Sequence, residues 1–307
     1  MAVTIDHISK YYGKQKALDN ISFTLNKGEV CGFLGPNGAG KSTTMKIITG
    51  FLEDFTGQVQ VCGMDIRKQP LRVKACIGYL PEHNPLYPEM FINEYLLHIA
   101  RLYRMDNPVK RVKEIVELTG LLPEGRKKIG ELSKGFRQRV GLAQALVHNP
   151  EVLILDEPMT GLDPNQLEEI RNLIIRIGKD KTVLLSTHIM QEVEAICNRI
   201  IIINQGEIVA DKLKSELHRT AGNTMVIEVT FAPGSETQWL QDSNLNLNLQ
   251  SATPTGTDSW QLIGQAGEDP RIALFHAAAD HRSPIIALRT EERNLEEIFR
   301  DLTMPQR

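Results

Sequence analysis

An α/β fold built on a largely parallel sheet is predicted by three observations in this 307-residue chain. First, short β-rich runs, Val152–Leu155, Thr182–Ser186 and Arg199–Ile203, alternate with segments of helical character. Continuous apolar strands separated by helices make a mostly parallel sheet covered on both faces. Second, the run Gly35-Pro36-Asn37-Gly38-Ala39-Gly40-Lys41-Ser42-Thr43 lies between an apolar strand, Val30–Leu34, and a helix-forming segment, Thr43–Thr49. Two glycines separated by four residues, then Lys and Ser, fit the phosphate-binding-loop pattern, and the strand–loop–helix setting turns that pattern into a site. Third, Leu153-Ile154-Leu155-Asp156-Glu157-Pro158 delivers an acidic pair to the carboxyl end of a strand, where open α/β sheets bind ligands.

The elements follow in order. Residues 2–8 and 21–25 read as strands flanking a turn at Gly13, and Gln58–Val61 as a short strand ended by Cys62-Gly63-Met64-Asp65. Pro81, Pro85 and Pro88 cannot sit inside a regular helix, so this stretch is an extended connection between two subregions. Phe91–Tyr103 is expected to be a helix, and Asn107-Pro108 is an N-cap and first-turn pair for another. Val109, Val112, Ile115, Val116 and Leu118 then fall on one helical face. Helices are also expected at Asn165–Ile177 and Met190–Cys197.

Composition shifts near Thr220-Ala221-Gly222-Asn223, dividing the chain into 1–222 and 223–307. The second part reads as a small α+β domain: strands at Met225–Phe231, Trp260–Ile263 and Ile285–Arg289, with helices near Ser235–Gln241, at Pro270–Ala278 and at Leu295–Leu302. Between Gln241 and Trp260 lies a polar stretch.

Bulk properties narrow the function classes. A net charge of −3 argues against a dedicated nucleic-acid binder, which carries a basic face or tail. Cys31, Cys62, Cys76 and Cys197 form no CxxC pair and read as reduced structural thiols. Met1–His7 lacks the basic and apolar regions of a signal peptide. No apolar stretch approaches the about 20 residues of a membrane span, so action on a membrane requires a partner.

The chemistry follows from residue type. Glycines let backbone N–H groups curl around a phosphate. Lys41 is placed to reach the β- and γ-phosphates of a nucleotide and the Ser42 hydroxyl to bind Mg²⁺. Asp156 would hold Mg²⁺ through water, and Glu157 would accept a proton from attacking water. Between these motifs stands Leu132-Ser133-Lys134-Gly135-Phe136-Arg137-Gln138-Arg139-Val140. By itself this run reads as a turn opening a basic helix, or as a nucleic-acid contact through Arg137 and Arg139.

In this order and company, Leu132-Ser133-Lys134-Gly135 followed by Arg137-Gln138-Arg139-Val140-Gly141-Leu142-Ala143 resembles the signature of the ATP-binding-cassette (ABC) family. The resemblance covers roughly residues 2–220. It implies a phosphate-loop NTPase cassette with an antiparallel N-terminal β subdomain and a helical subdomain at about 83–150. Tyr12 resembles the aromatic that stacks on adenine, with Tyr11 its rival. Asp163, in Gly161-Leu162-Asp163, resembles the acidic member of a loop that communicates across a dimer, and His188 resembles the histidine that contacts the γ-phosphate. The implied assembly is a head-to-tail pair, with a second copy or a related cassette, holding two ATP molecules. Each ATP would touch the phosphate loop (Gly35 to Thr43) of one subunit and the Ser133–Gly135 segment of the other.

Two positions depart from the family pattern. Lys134-Gly135-Phe136 stands where Gly-Gly-Gln is usual, and Glu82 follows Pro81 where a Mg²⁺-binding glutamine is usual. A carboxylate also binds Mg²⁺, so Glu82 is expected to be a metal ligand. The segment Tyr79–Tyr87 and the ending Arg293–Phe299 are similar to cassettes paired with ABC-2 type permeases, especially the gliding-motility-associated branch. The resemblance thus implies a Mg²⁺-dependent ATPase at the cytoplasmic face of the cell membrane, energising a separate permease for export. The alternative is a soluble cassette ATPase acting on a nucleoprotein or other assembly. Leu86, Tyr87, Met90 and Phe91 are candidates for receiving a permease helix, or for packing the helical subregion.

Overall fold

The computed structural model describes residues 1–216, 226–241, 247–264 and 269–291, with Phe299 and Thr303. Two compact units appear, Met1–Leu213 and Lys214–Arg307. The boundary expected between 222 and 223 falls in a segment outside the described residues, as does most of the expected helix Leu295–Leu302.

The first unit runs β1 (Val3–Tyr12), β2 (Gln15–Leu25), β3 (Val30–Leu34), α1 (Lys41–Ile48), β4 (Thr56–Val61), β5 (Met64–Asp65), α2 (Pro70–Cys76) and β6 (Ile77–Leu80). It continues through α3 (Ile92–Leu102), α4 (Pro108–Leu118), α5 (Lys134–Leu146), β7 (Val152–Asp156), α6 (Pro164–Gly178), β8 (Thr182–Thr187), α7 (Met190–Ile196), β9 (Arg199–Asn204) and β10 (Glu207–Leu213). One sheet is antiparallel, in the order β2-β1-β4-β5. The other has the order β10-β9-β3-β8-β7-β6 and is parallel except for the edge strand β10.

Every residue of β3, β7 and β8 is buried, which is why their centres read as continuous apolar runs rather than alternating ones. Alternation returns in β10, Glu207-Ile208-Val209-Ala210-Asp211-Lys212-Leu213, whose weak apolar content hid it from sequence reading. The hairpin β1–β2 is longer than residues 2–8 and 21–25 suggested, because tight pairing carries both strands to the turn at Gly13, whose φ is +58°. The short helix α2 was also unanticipated, and Pro70 at its first position is the one local signal for it.

α3, α4 and α5 make a helical layer joined to the parallel sheet through α5 and β6. Tyr95 Oη donates to Gln144 Oε1 at 2.6 Å, tying α3 to α5. Arg111 on α4 donates to the carbonyls of Leu146 and Val147, each at 3.0 Å, and satisfies the end of α5. Asn107 precedes Pro108 as expected, but its side chain makes no cap hydrogen bond; its backbone carbonyl instead accepts from Arg111 N–H. Just past α5, His148 Nε2 lies 2.9 Å from the Ile77 carbonyl, and its ring stacks on Tyr103 with centroids 3.9 Å apart. This imidazole therefore links the helical layer to the sheet.

The second unit contains β11 (Val226–Phe231), β12 (Leu249–Pro254), β13 (Ser259–Gly264), α8 (Arg271–Asp280) and β14 (Ile285–Glu291), with an antiparallel sheet ordered β12-β13-β11-β14. Phe231, Trp239, Trp260, Leu262 and Leu274 lead its core. The helix expected near Ser235–Gln241 is a single 3-10 turn, Gln238–Gln241, entered from Gly234 at φ +82°. Leu240 N–H bonds to the Thr237 carbonyl three residues back, and Trp239 is buried with its Nε1–H directed to Ser283 Oγ. The polar stretch before Trp260 supplies β12, an edge strand held by its ladder to β13, with Leu249 and Ala252 its apolar contacts to the core.

Burial, with the nearby Lys181 and Arg111 cations, pulls the His148 imidazole down to about 4, against the opposing effect of the Ile77 carbonyl. The unfolded chain takes up this proton near the ordinary value of 6.5, the folded chain only near 4. His148 should therefore cost stability as pH falls from about 6.5 to about 4, by at most about 3 kcal/mol in total. Urea denaturation across this window should show a steeper loss for the native sequence than for His148→Gln.

Candidate functional site

The parallel register brings the carboxyl ends of three strands together. Leu34 of β3 pairs with Thr187 of β8, and Asp156 of β7 pairs with Ser186 of β8. The glycine-rich loop leaves β3 at this edge and enters α1. Gly40 caps α1 at φ +114°, a conformation natural to glycine, and a Cβ there would lie 2.6 Å from Leu18 Cδ2. The loop is thus fixed by both backbone geometry and space, with the positive end of α1 facing the opening.

A cleft of about 580 Å³ opens above this edge, lined by Tyr12, Gln15, Ala17, Asn37, Gly38, Gly40, Lys41, Ser42, Thr43, Glu82, Glu157, Thr160 and His188. Sequence reading left Tyr11 and Tyr12 as rivals; Tyr12 lines the cleft, whereas Tyr11 lies outside that lining. Gly35 and Pro36 contribute through their carbonyls, which accept from Lys41 Nζ at 2.7 and 3.3 Å, and Ala39 is buried beneath the loop.

Lys41 and Glu157 are both more than nine-tenths buried, and Lys41 Nζ lies 3.6 Å from Glu157 Oε1. Isolated charges so deeply placed are costly, so each requires partners. Glu157 has three. Thr160 Oγ1 donates to Oε2 at 2.9 Å, His188 Nδ1 lies 3.0 Å from both carboxylate oxygens, and Lys41 supplies the opposite charge. Its backbone is left-handed, with φ +50°, and its N–H donates to Ser186 Oγ at 3.0 Å. The tight turn after β7 thereby swings the carboxylate into the cleft.

Asp156 is buried behind the opening. Its Oδ1 accepts from Ser186 Oγ at 2.6 Å and from Ser42 Oγ at 3.2 Å. Burial, with Asp156 and Glu82 nearby, pushes the Tyr79 phenol well above its ordinary range. Glu82 and Ser42 both line the cleft, and the Ser42 hydroxyl reaches back to Asp156; oxygen donors of this kind suit a hard divalent cation such as Mg²⁺.

Ser133, Gly135 and Asp163 do not join this cleft. Ser133 caps α5, its Oγ accepting from Phe136 N–H at 3.3 Å, and Asp163 caps α6, its Oδ1 accepting from Gln166 N–H at 3.0 Å. Both are exposed. Gly135 is buried at their junction, where a Cβ would come 2.5 Å from the Gln166 side chain. A side chain at this position would have to displace that of Gln166 on α6.

Thr160, Ser186 and Glu192 escaped sequence reading. Glu192 is buried on α7, accepts from Thr187 Oγ1 at 2.6 Å and holds the corner that carries His188. Burial raises its carboxyl above the ordinary range, against the Thr187 hydrogen bond. The register that faces Ser186 with Asp156 is set by the sheet, so the sequence carried no signal for that contact.

With this geometry in place, the comparisons with known proteins decide the family. Residues 18–160 match the family model described as ABC transporter. The chain is 34% identical to linearmycin resistance ATP-binding protein LnrL of Bacillus subtilis over 302 residues, 97% of each chain. This chain belongs to the ABC transporter family, as an ATP-binding subunit. It is also 37% identical to Nod factor export ATP-binding protein I of Paraburkholderia xenovorans, over 76% of this chain and 77% of that one. Among solved structures, it resembles the dimeric post-hydrolysis state of the ATP-binding cassette MJ0796 bound to ADP and Pi, with a TM-score of 0.63 and 26% identity over 69% of this chain and 98% of that one. The ABC ATPase is thus a phosphate-loop NTPase cassette with ATP hydrolysis as its activity, as the sequence implied. Among the described residues, no helix is long and apolar enough to cross a membrane.

Ser186→Ala in the ABC ATPase removes a donor to buried Asp156 and an acceptor for Glu157 N–H. It should lower stability to urea by about 1–3 kcal/mol and reduce ATP turnover.

Proposed function

We propose that this ABC ATPase energises a separate ABC-2 type membrane permease for export, and that it works as a head-to-tail pair with a second copy or a related cassette. The observation that carries the pairing is the division of the expected site residues. Tyr12, Lys41, Ser42, Glu82, Glu157 and His188 line one cleft, whereas exposed Ser133 and Asp163 mark a separate patch at the starts of α5 and α6. ATP held between a cleft and a partner's patch uses both sets. The dimeric state of the MJ0796 cassette supports this reading.

The roles are those the family resemblance implies, and the geometry supports them. Tyr12 stacks on adenine. The backbone N–H groups from Gly35 to Thr43 surround the phosphates, and Lys41, inside the loop, neutralises the β- and γ-phosphate charge. Ser42, Glu82 and, through water, Asp156 would hold Mg²⁺, which supplies charge neutralisation at the phosphate oxygens. Glu157 accepts the proton of the attacking water, and its three partners fix the carboxylate before reaction. His188 bridges Glu157 and the γ-phosphate.

Export is supported by the names of the relatives, which concern linearmycin resistance and Nod factor export. These favour a transport subunit over an ATPase acting on nucleoprotein. The permease reading rests also on an apolar groove of about 370 Å³ lined in part by Phe51, Tyr79, Pro81, Pro85, Leu102 and Tyr103. It adjoins Glu82 along the chain and is suited to a cytoplasmic helix of the permease. Of the four residues expected to receive that helix, Tyr87 and Phe91 are exposed, but Leu86 and Met90 are half-buried and none lines the groove. The docking surface is therefore assigned to the groove. The similarity of Tyr79–Tyr87 to ABC-2 cassettes of the gliding-motility-associated branch supports the permease class. It also supports a peripheral position at the cytoplasmic face of the cell membrane.

Glu157→Gln should bind ATP, slow hydrolysis by about 10²–10⁴-fold and accumulate as a closed dimer in size-exclusion chromatography with ATP. This corresponds to about 3–5.5 kcal/mol of barrier. Lys41→Ala should instead lose nucleotide affinity in a titration. Wild-type turnover in Glu157→Gln would overturn its role as base. Co-purification from detergent-solubilised membranes should recover a polytopic partner, and recovery only in nucleoprotein complexes would overturn the transport reading.

A further inference from the structure

The opposite edge of the parallel sheet holds a second chemical constellation. Cys62, Cys76 and Glu151 each place one ligand atom within 4.8 Å of the others. They come from three distant parts of the sequence, and backbone hydrogen bonds fix each part. Cys62 and Gly63 are the two central residues of the β4–β5 hairpin, both with positive φ, and Cys62 N–H donates to the Ala2 carbonyl at 2.8 Å. Cys76 ends α2, and its carbonyl accepts from Glu151 N–H at 3.1 Å. Glu151 immediately precedes β7, five residues from Asp156 and hence about 16 Å from the nucleotide cleft.

We propose that Cys62, Cys76 and Glu151 form a binding site for a thiophilic divalent cation of the zinc type, separate from the nucleotide site. Two thiolates and one carboxylate match the sulfur-and-oxygen ligands of tetrahedral zinc, with a fourth position for water. Tetrahedral bonds of about 2.3 Å place two sulfurs about 3.8 Å apart, within the observed spacing. Binding forms two metal–sulfur bonds and releases one proton from each thiol to solvent. Both cysteines are half-buried and Glu151 is exposed, so an ion can enter from solvent. Lys27 Nζ, 3.3 Å from Glu151 Oε2, is mostly exposed and can leave for water at little cost. Burial first, then Glu151 and Cys76, raises the Cys62 thiol to about 12, so without an ion it is a poor nucleophile for disulfide exchange. A bound cation would staple the antiparallel sheet to the start of β7 through β4 and α2.

The test is Co²⁺ titration of the reduced full-length chain with excess Mg²⁺ present. One equivalent should produce intense near-ultraviolet thiolate-to-cobalt absorption, which the oxygen-lined nucleotide cleft cannot give. Cys62→Ser and Cys76→Ser should each abolish the band. Glu151→Gln should weaken binding about tenfold or more, since even outer-shell partners carry that effect. Cys31→Ser should retain the band, and ATP turnover should remain unchanged in Cys62→Ser. In the wild-type chain, Zn²⁺ should protect Cys62 and Cys76 from alkylation, a readout independent of any variant's folding. Absence of the band, its survival in either Cys variant, or absence of protection would overturn the proposal.

Discussion

The Lys41–Glu157 pair is the constraint on which the rest of the nucleotide site depends. An ammonium and a carboxylate sit 3.6 Å apart with almost no exposure, one on the loop after β3 and the other on the turn after β7. Neither charge is tolerable alone at that depth. β8 runs between those two strands and, with the residue that follows it, supplies further contacts, through Ser186 to Asp156 and His188 beside Glu157. The sheet order β3-β8-β7 is thus a condition for neutralising the site, and packing and electrostatics require the same arrangement.

Buried and half-buried hydroxyls extend that logic. Ser42 and Ser186 converge on one oxygen of Asp156, and Thr160 anchors Glu157. Each hydroxyl satisfies a carboxylate oxygen without adding charge, leaving the local balance to Lys41 and an incoming ligand. The glycines around them have distinct tasks. Gly40 lets the loop enter α1, whereas Gly135 of α5 leaves room for the Gln166 side chain of α6. Ser133 and Asp163 are the N-caps of those two helices, and helix N-termini favour anions.

Much of this site was legible because its chemistry needs neighbouring residues. A phosphate loop must be contiguous to wrap a phosphate, and Asp156-Glu157 must follow an apolar strand to reach its carboxyl end. Tyr12 could not be separated from Tyr11 by sequence, because which side of β1 faces the loop depends on pairing with β2. The shift in register between Lys10 and Tyr11 is a tertiary outcome of that hairpin. β10, β12 and α2 were missed for a related reason. Edge strands and short helices are held by partners already in place, so their own residues carry weak signals.

The cysteines show the same division. By spacing alone they are four unrelated thiols, and Cys62 and Cys76 meet only because β4 and α2 are both secured to the sheet. The sequence by itself determined the fold class, the phosphate loop and the acidic pair, because local backbone chemistry and hydrophobic period suffice for each, whereas the signature segment was legible only through its resemblance to the ABC family. Only the tertiary structure decided that Thr160 and Ser186 hold the carboxylates, that Tyr12 lines the cleft, and that Ser133 and Asp163 lie outside it. Those outcomes depend on strand order and register, which long-range burial selects and no short window of residues contains.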